Sequence, residues 1–218
     1  MTGENGSKSR NLKAVIFDYG EVLCHRPTGE ELRKMANLFG ADAESFRALW
    51  ERNRPGFDRG DLTSDVYWSM LADDAGAKID EKQLADLRRW DLEMWAKVNP
   101  VMVDWAQRLR AEGFKIGLLS NMHPEMVDYC RSNFPWLDHF HFQTFSADVR
   151  MVKPDPAIYQ HTLDGLGVSA SEALFIDDRE PNIAAARKLG INAIRFVSVS
   201  QLQDELKRID FPVLPALN

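Results

Sequence analysis

Cysteine is nearly absent: Cys24 and Cys130 are the only two in 218 residues. Two thiols that far apart supply neither a disulfide framework nor a zinc motif, and they suit a reducing, cytoplasmic setting in which both are buried. A basic block is also missing, and the formal net charge is −6. That argues against a nucleic-acid or acidic-membrane surface and in favour of a small-molecule partner. No apolar run approaches the length of a bilayer span, and the first ten residues, MTGENGSKSR, contain no apolar stretch of an export signal. Neither export nor a transmembrane segment is expected, and residues 1–10 are expected to be a disordered tail. Internal repeats and low-complexity segments are lacking as well. What remains, 44% hydrophobic and 28% charged, is an ordinary globular composition with enough apolar residues for a real core.

The chain is organised around Asn11-Leu-Lys-Ala-Val-Ile-Phe-Asp-Tyr-Gly-Glu-Val-Leu23. Residues 14–17 form a short run apolar on both faces, as in a buried parallel strand, and the run stops on Asp18 before Gly20 turns the chain. From residue 30 to 95 the pattern is helical throughout. Leu32, Met35, Ala36 and Phe39 share a face before Gly40, and Phe46, Leu49 and Trp50 repeat the spacing until Pro55-Gly56 breaks it. Thr63 or Ser64 caps a third helix and Asp80 a fourth, and Asn99-Pro100 closes the block.

Beyond residue 101 short apolar strands at 115–119, 142–145, 173–176 and 193–197 alternate with helices around 102–111, 125–134, 156–166, 181–189 and 201–208. With the first strand this predicts an α/β fold, a doubly wound parallel sheet of about five strands. The expected organisation is an α/β core of residues 11–26 and 98–218, interrupted by a helical domain of residues 27–97.

Polar groups gather where these strands end. Asp18 follows the first. Ser120 and Asn121 follow Gly117-Leu118-Leu119, with Pro124 opening the next helix, an arrangement that suits an anion. Lys153 precedes Pro154-Asp155-Pro156, where Asp155 is the expected N-cap and the lysine a mobile positive charge. Asp177 and Asp178 follow Ala173-Leu174-Phe175-Ile176, and adjacent carboxylates there call for a cation. Taken singly, each is as well explained as a cap or a solvated side chain. Together, at the carboxyl ends of parallel strands where such folds bind ligands, they are the parts of a phosphoryl-transfer site.

At this point the sequence resembles the haloacid dehalogenase superfamily from Lys13 to about Arg208. VIFDYGEVL, LLSNM, VKPDPAIY and LFIDDREPN look like its four ordered motifs, and the inserted helices look like its small helical cap. The resemblance implies a Rossmann-like core and a magnesium-dependent phosphatase acting on a small phosphorylated metabolite through an aspartyl-phosphate. It implies Asp18 as nucleophile, with Ser120 and Lys153 catalytic. Ser120, Asn121 and Lys153 would bind phosphate, while Asp18, the Gly20 carbonyl, Asp178 and Asp177 would surround Mg²⁺, with Asn182 orienting them. Family members are monomers or homodimers.

The chain departs from the family's usual phosphatases at Gly20, where most carry a second aspartate that protonates the leaving group. A branch of bacterial sugar-phosphate phosphatases is similar in having glycine there. Glu21 and His25 are the nearest substitutes, although in an extended chain Glu21 points away from Asp18. Rival readings are a metal-independent 2-haloacid dehalogenase and a weakly active phosphate-binding or regulatory protein. In the cap, Phe57, Tyr67, Trp68, Trp90 and Trp95 are expected to be core more than pocket, and Arg54 and Arg59, beside a loop tip at Pro55-Gly56, are expected to be solvated.

Overall fold

A computed structural model describes residues 11–217, so the tail expected at 1–10 lies outside the described residues. The chain enters through β1 (Ala14–Phe17) and an irregular turn, Tyr19–Leu23. It then forms α1 (Glu30–Leu38), α2 (Ala43–Asp58), α3 (Ser64–Ala75) and α4 (Glu81–Trp95). There follow α5 (Pro100–Ala111), β2 (Lys115–Ser120), α6 (Pro124–Asn133), β3 (Phe142–Phe145) and the short α7 (Ser146–Val149). The chain ends with α8 (Pro156–Leu166), β4 (Ala173–Asp177), α9 (Glu180–Lys188), β5 (Asn192–Arg195) and α10 (Val199–Arg208).

The five strands are all parallel, in the order β3-β2-β1-β4-β5. Central β1 therefore pairs with β2 on one side and β4 on the other, and the connection reverses direction at its carboxyl end. Ligand crevices of open α/β sheets form at this kind of point. Along β1, Val15 and Phe17 face a core containing Trp105, Leu109 and Val127, while Ala14 and Ile16 face a second core built on Ile158, Leu163 and Ile183. Burial on both faces explains why β1 is continuously apolar rather than alternating. Trp105 packs edge-on against Phe17 at 5.4 Å and donates from Nε1 to the Val213 carbonyl at 2.9 Å.

Helices α1–α4 bury a third cluster of their own, in which Phe46, Phe57, Tyr67 and Trp68 are fully enclosed. The expected caps hold: Thr63 accepts from the Val66 N–H, and Asp80 forms a capping box with Gln83. Two segments carry the chain into and out of this block. They pair antiparallel at Cys24 and Val98, where His25 donates to the Lys97 carbonyl at 2.7 Å and Asn99 to that of Leu23 at 2.8 Å.

One expectation fails here. Pro55 and Gly56 are not a loop tip, because α2 runs through them to Asp58 and the Arg59 N–H closes back on the Pro55 carbonyl at 3.1 Å. A proline removes one ladder bond, and in the last turn tertiary packing of Phe57 outweighs that loss.

The packing at the base of β1 makes Trp105→Ala a direct test of the sheet's anchoring. The substitution is expected to destabilise the protein by about 3–5 kcal/mol in urea denaturation, without altering the parallel sheet seen by circular dichroism.

Candidate active site

Asp18 lies one residue beyond Phe17, which is paired with Leu118 and Ile176 on the two neighbouring strands. Its backbone N–H still donates to the Ile176 carbonyl at 2.9 Å. The strand hydrogen bonds thus place its carboxylate level with the ends of β2 and β4. Lys153, from the loop between α7 and α8, enters the same layer. Its Nζ contacts Asp18 Oδ1 at 2.8 Å and donates to Asp177 Oδ2 at 2.7 Å and the Leu119 carbonyl at 2.9 Å. With 1% of its side chain exposed, this lysine is a clamped charge, not the mobile one expected. Burial alone would lower its affinity for a proton, but Asp177 and Asp18 reverse that and hold it above the ordinary lysine value.

Asp177 is fully engaged. Its Oδ1 accepts from the Arg179 N–H at 2.8 Å, and Asn182 Nδ2 reaches both carboxylate oxygens at 3.0 Å. Asn182 therefore does orient the acidic pair's inner member. Asp18 Oδ1 also accepts from the Tyr19 N–H at 2.7 Å, which leaves Oδ2 as the less committed oxygen. Asn121 forms a two-way pair with the Lys153 main chain, donating at 2.9 Å and accepting at 2.8 Å. Its carboxamide fixes the lysine loop. Ser120 is buried at the end of β2 and lines the cleft.

Carboxylate oxygens of Asp18, Asp177 and Asp178 all lie within 4.8 Å of one another. Burial is the main influence on Asp18 and pushes its carboxyl up to about 8; Lys153 opposes the rise, while Asp177 and Asp178 add to it. Asp178 is pushed up to about 6, first by burial, then by Asp177 and Glu21. Crowded carboxylates with one ammonium among them fit a hard divalent cation with oxygen ligands. Asp18, Asp177 and Asp178 are the residues that could hold one.

The turn after Asp18 also resolves the geometry of Glu21. Gly20 stays extended (φ −60°, ψ 129°) but Glu21 takes a left-handed conformation, φ 54°, so the chain bends sharply and Glu21 joins the cleft wall, 3.4 Å from Arg26. His25 is exposed and does not line it. A side chain added at Gly20 would meet Trp95 Cζ3 at 3.7 Å and Asp18 Oδ2 at 3.9 Å, ordinary contacts that leave room there.

The cleft, about 470 Å³, opens between these strand ends and the helical block. From that block it receives Leu32, Arg47, Trp50, Arg54, Met94 and Trp95. Of the five aromatic residues singled out in the sequence, Phe57, Tyr67 and Trp68 are core, and Trp95 alone is a cleft residue. Trp50, whose helical spacing matches that of the core residues around it and reads as core, also lines the cleft. Arg59 is solvated beside Asp61, as expected, but Arg54 is not. Only 13% of its side chain is exposed, and Asp58 and Asp91 both bind it.

Comparison with known proteins places this geometry among relatives. The family described as haloacid dehalogenase-like hydrolase matches residues 12–190. The chain is 26% identical to (S)-2-haloacid dehalogenase 4A of Burkholderia cepacia, covering 85% of this chain and 83% of that one. It is 24% identical to D-ribitol-5-phosphate phosphatase of Bacteroides thetaiotaomicron, covering 89% and 97%. A solved HAD family enzyme from Bacteroides thetaiotaomicron, in complex with magnesium and inorganic phosphate, shares the fold with a TM-score of 0.70 at 23% identity, over 88% of this chain and 98% of that one.

The raised carboxyls give a signature in solution. An aspartate whose folded value exceeds its unfolded one contributes stability below the unfolded pKa and loses it as pH rises toward the folded value. Without a divalent cation, stability should therefore fall between about pH 4 and pH 8, the window set by Asp18. Thermal melts with Mg²⁺ and with chelator are expected to diverge progressively across that window, the Mg²⁺-dependent rise in Tm being larger at pH 8 than at pH 5. An equal rise at both would contradict the electrostatic account.

Proposed function

We propose that this chain, which belongs to the haloacid dehalogenase-like hydrolase family, is a magnesium-dependent phosphatase acting on a small phosphorylated metabolite, with a sugar phosphate the best fit. The observation that carries this reading is the carboxylate cluster of Asp18, Asp177 and Asp178 around one buried ammonium. A second cation is what such a cluster lacks. A site built for a carboxylate-bearing haloacid has no need of Asp178.

In this reading Asp18 Oδ2 attacks phosphorus, the bond from phosphorus to the ester oxygen breaks, and the phosphoryl group is carried on Asp18. Water then attacks phosphorus, releasing inorganic phosphate and restoring the carboxylate. Lys153, held by Asp177 and the Leu119 carbonyl, keeps Asp18 in place and offers charge to the phosphoryl oxygens. Ser120 contributes its hydroxyl, and Asn121 acts through its main chain, its carboxamide being taken by Lys153. Asp18, Asp178 and the Gly20 carbonyl would hold Mg²⁺, which would supply positive charge against the phosphate dianion.

Helices α1–α4 act as the cap. The charged cleft residues that α2 contributes are two of each sign, Arg47 and Arg54 against Glu51 and Asp58, and Arg54 is bound to Asp58 and Asp91. With two indoles, Trp50 and Trp95, flanking balanced polar groups, the wall suits a hydroxylated, uncharged leaving group. Gly20 provides no proton for that group. A leaving oxygen that is stable as an anion, as in a sugar 1-phosphate or an aryl phosphate, needs the least help.

The second reading, a 2-haloacid dehalogenase, is favoured by the likeness to the Burkholderia cepacia enzyme. Steady-state assays separate the two. Glucose 1-phosphate is expected to be hydrolysed in preference to glucose 6-phosphate, only with Mg²⁺. Gly20→Asp, at a position where an added Cβ meets only ordinary contacts, is expected to raise turnover of the 6-phosphate by about tenfold or more. Chloride release from 2-chloropropionate in excess chelator, with no phosphatase activity, would overturn the proposal.

A further inference from the structure

A second buried charge cluster lies where the helical block meets the sheet domain. Arg54 of α2 donates from Nε to Asp58 Oδ1 at 2.9 Å and from Nη1 to both oxygens of Asp91, on α4, at 3.0 and 2.9 Å. One arginine serves two buried carboxylates. Burial pushes the Asp58 carboxyl up despite Arg54. At Asp91 burial pushes the same way, but Arg54 and His123 outweigh it and hold the carboxyl below its usual value.

His123 comes from the other body. It stands three residues after Ser120, at the N-cap of α6. Its Nε2 lies 3.3 Å from Asp91 Oδ2, and its ring stacks on Phe57 at 4.3 Å with 15° between planes. Phe57 in turn stacks on Tyr67 at 4.2 Å. Both imidazole nitrogens are buried without an aligned hydrogen bond, so the tie to Asp91 is a close polar contact between buried groups. A second tie runs alongside, since Ser146 Oγ donates to the Asp58 carbonyl and accepts from the Met122 N–H at 2.8 Å.

Nothing in the phosphatase chemistry above uses these groups, and none is explained by packing alone, because a buried polar group with no good partner is costly. We propose that His123 is a positioning residue. It docks the helical block onto the loop after β2 through Asp91, and so fixes Arg54, whose guanidinium lies 4.6 Å from the Trp50 ring on the cleft wall. The cleft wall and the Ser120-Asn121 loop are thereby tied by a side chain that follows that loop directly, beside the Ser146 bridge. Two domains in one chain move relative to each other unless their interface holds them, and this contact is the buried polar part of that interface, beside the exposed ion pair of Arg150 with Asp61.

The test uses the full chain and does not depend on the reaction. Amide hydrogen exchange is measured for His123→Ala, Asp91→Asn and the double variant. In His123→Ala, exchange in α4 is expected to rise by about tenfold or more while α8 is unchanged, and the double variant is expected to rise by less than the product of the two single effects, because the two residues share one contact while Asp91→Asn also weakens the hold on Arg54. If His123→Ala loosens the whole protein, His123→Gln decides: a rise confined to α2 and α4 supports docking, and a uniform rise overturns it. Unchanged exchange in α4, or fully additive effects, also overturns it. The inference rests on the phosphatase reading only in its kinetic arm, where KM for an aryl phosphate is expected to rise about tenfold with kcat changed less than about threefold. An inactive wild type would sink that reading and leave the exchange result standing, whereas equal changes in KM and kcat would count against positioning.

Discussion

The site depends on one buried ammonium. Lys153 Nζ holds Asp18 and Asp177 together beneath a strand carbonyl. Two carboxylates taken out of water on neighbouring strands repel each other and lose hydration, and a single cation offsets only part of that. The deficit explains why the Asp18 carboxyl sits so far above its ordinary value even with the lysine in contact. It also explains the support around the lysine: Asn121 clasps its backbone from β2, and Asn182 clasps Asp177 from α9. The ends of β1, β2 and β4 and the loop before α8 each contribute one piece, so the order β3-β2-β1-β4-β5, with β1 in the centre, is what brings the pieces to one level.

Above that layer the helical block determines what reaches it. The turn after Asp18 bends through a left-handed Glu21 and returns to pair with the exit segment at Val98. Tyr19 fastens the far end by donating to the Trp95 carbonyl at 2.7 Å. The residue that leaves position 20 without a side chain and the indole that overlooks the space therefore belong to one hydrogen-bonded assembly. Docking through His123 and Asp91 holds the opposite side of the block. In this account, specificity comes from a wall fastened at two places rather than from a single recognition residue.

The sheet and its site were legible in the sequence because they are local. Short apolar runs buried on both faces, each ending on a polar residue, locate β1, β2 and β4 and the groups at their ends, and after β2 and β4 the prolines Pro124 and Pro181 mark the next helix. Pro124 and Pro156 stand at the starts of α6 and α8 for the same reason. What was not legible depends on partners distant in the chain. Lys153 looks solvated until Asp18 and Asp177 surround it. Arg54 looks like a loop-tip arginine until α4 brings Asp91 beneath it, and Pro55-Gly56 looks like a helix break until Phe57 is seen packed between Tyr67 and His123. Trp50 carries the same periodicity as its buried neighbours, so spacing could not separate a cleft aromatic from a core one.

The central step of the proposed reaction is the covalent bond from Asp18 to phosphorus. Acid quenching of the enzyme during turnover of an aryl phosphate with Mg²⁺, followed by peptide mass spectrometry, examines it directly. The predicted result is a phosphoryl group on the peptide containing Asp18, absent from Asp18→Asn. Turnover with no phosphoryl-enzyme at Asp18, or a label on another residue, would contradict the account.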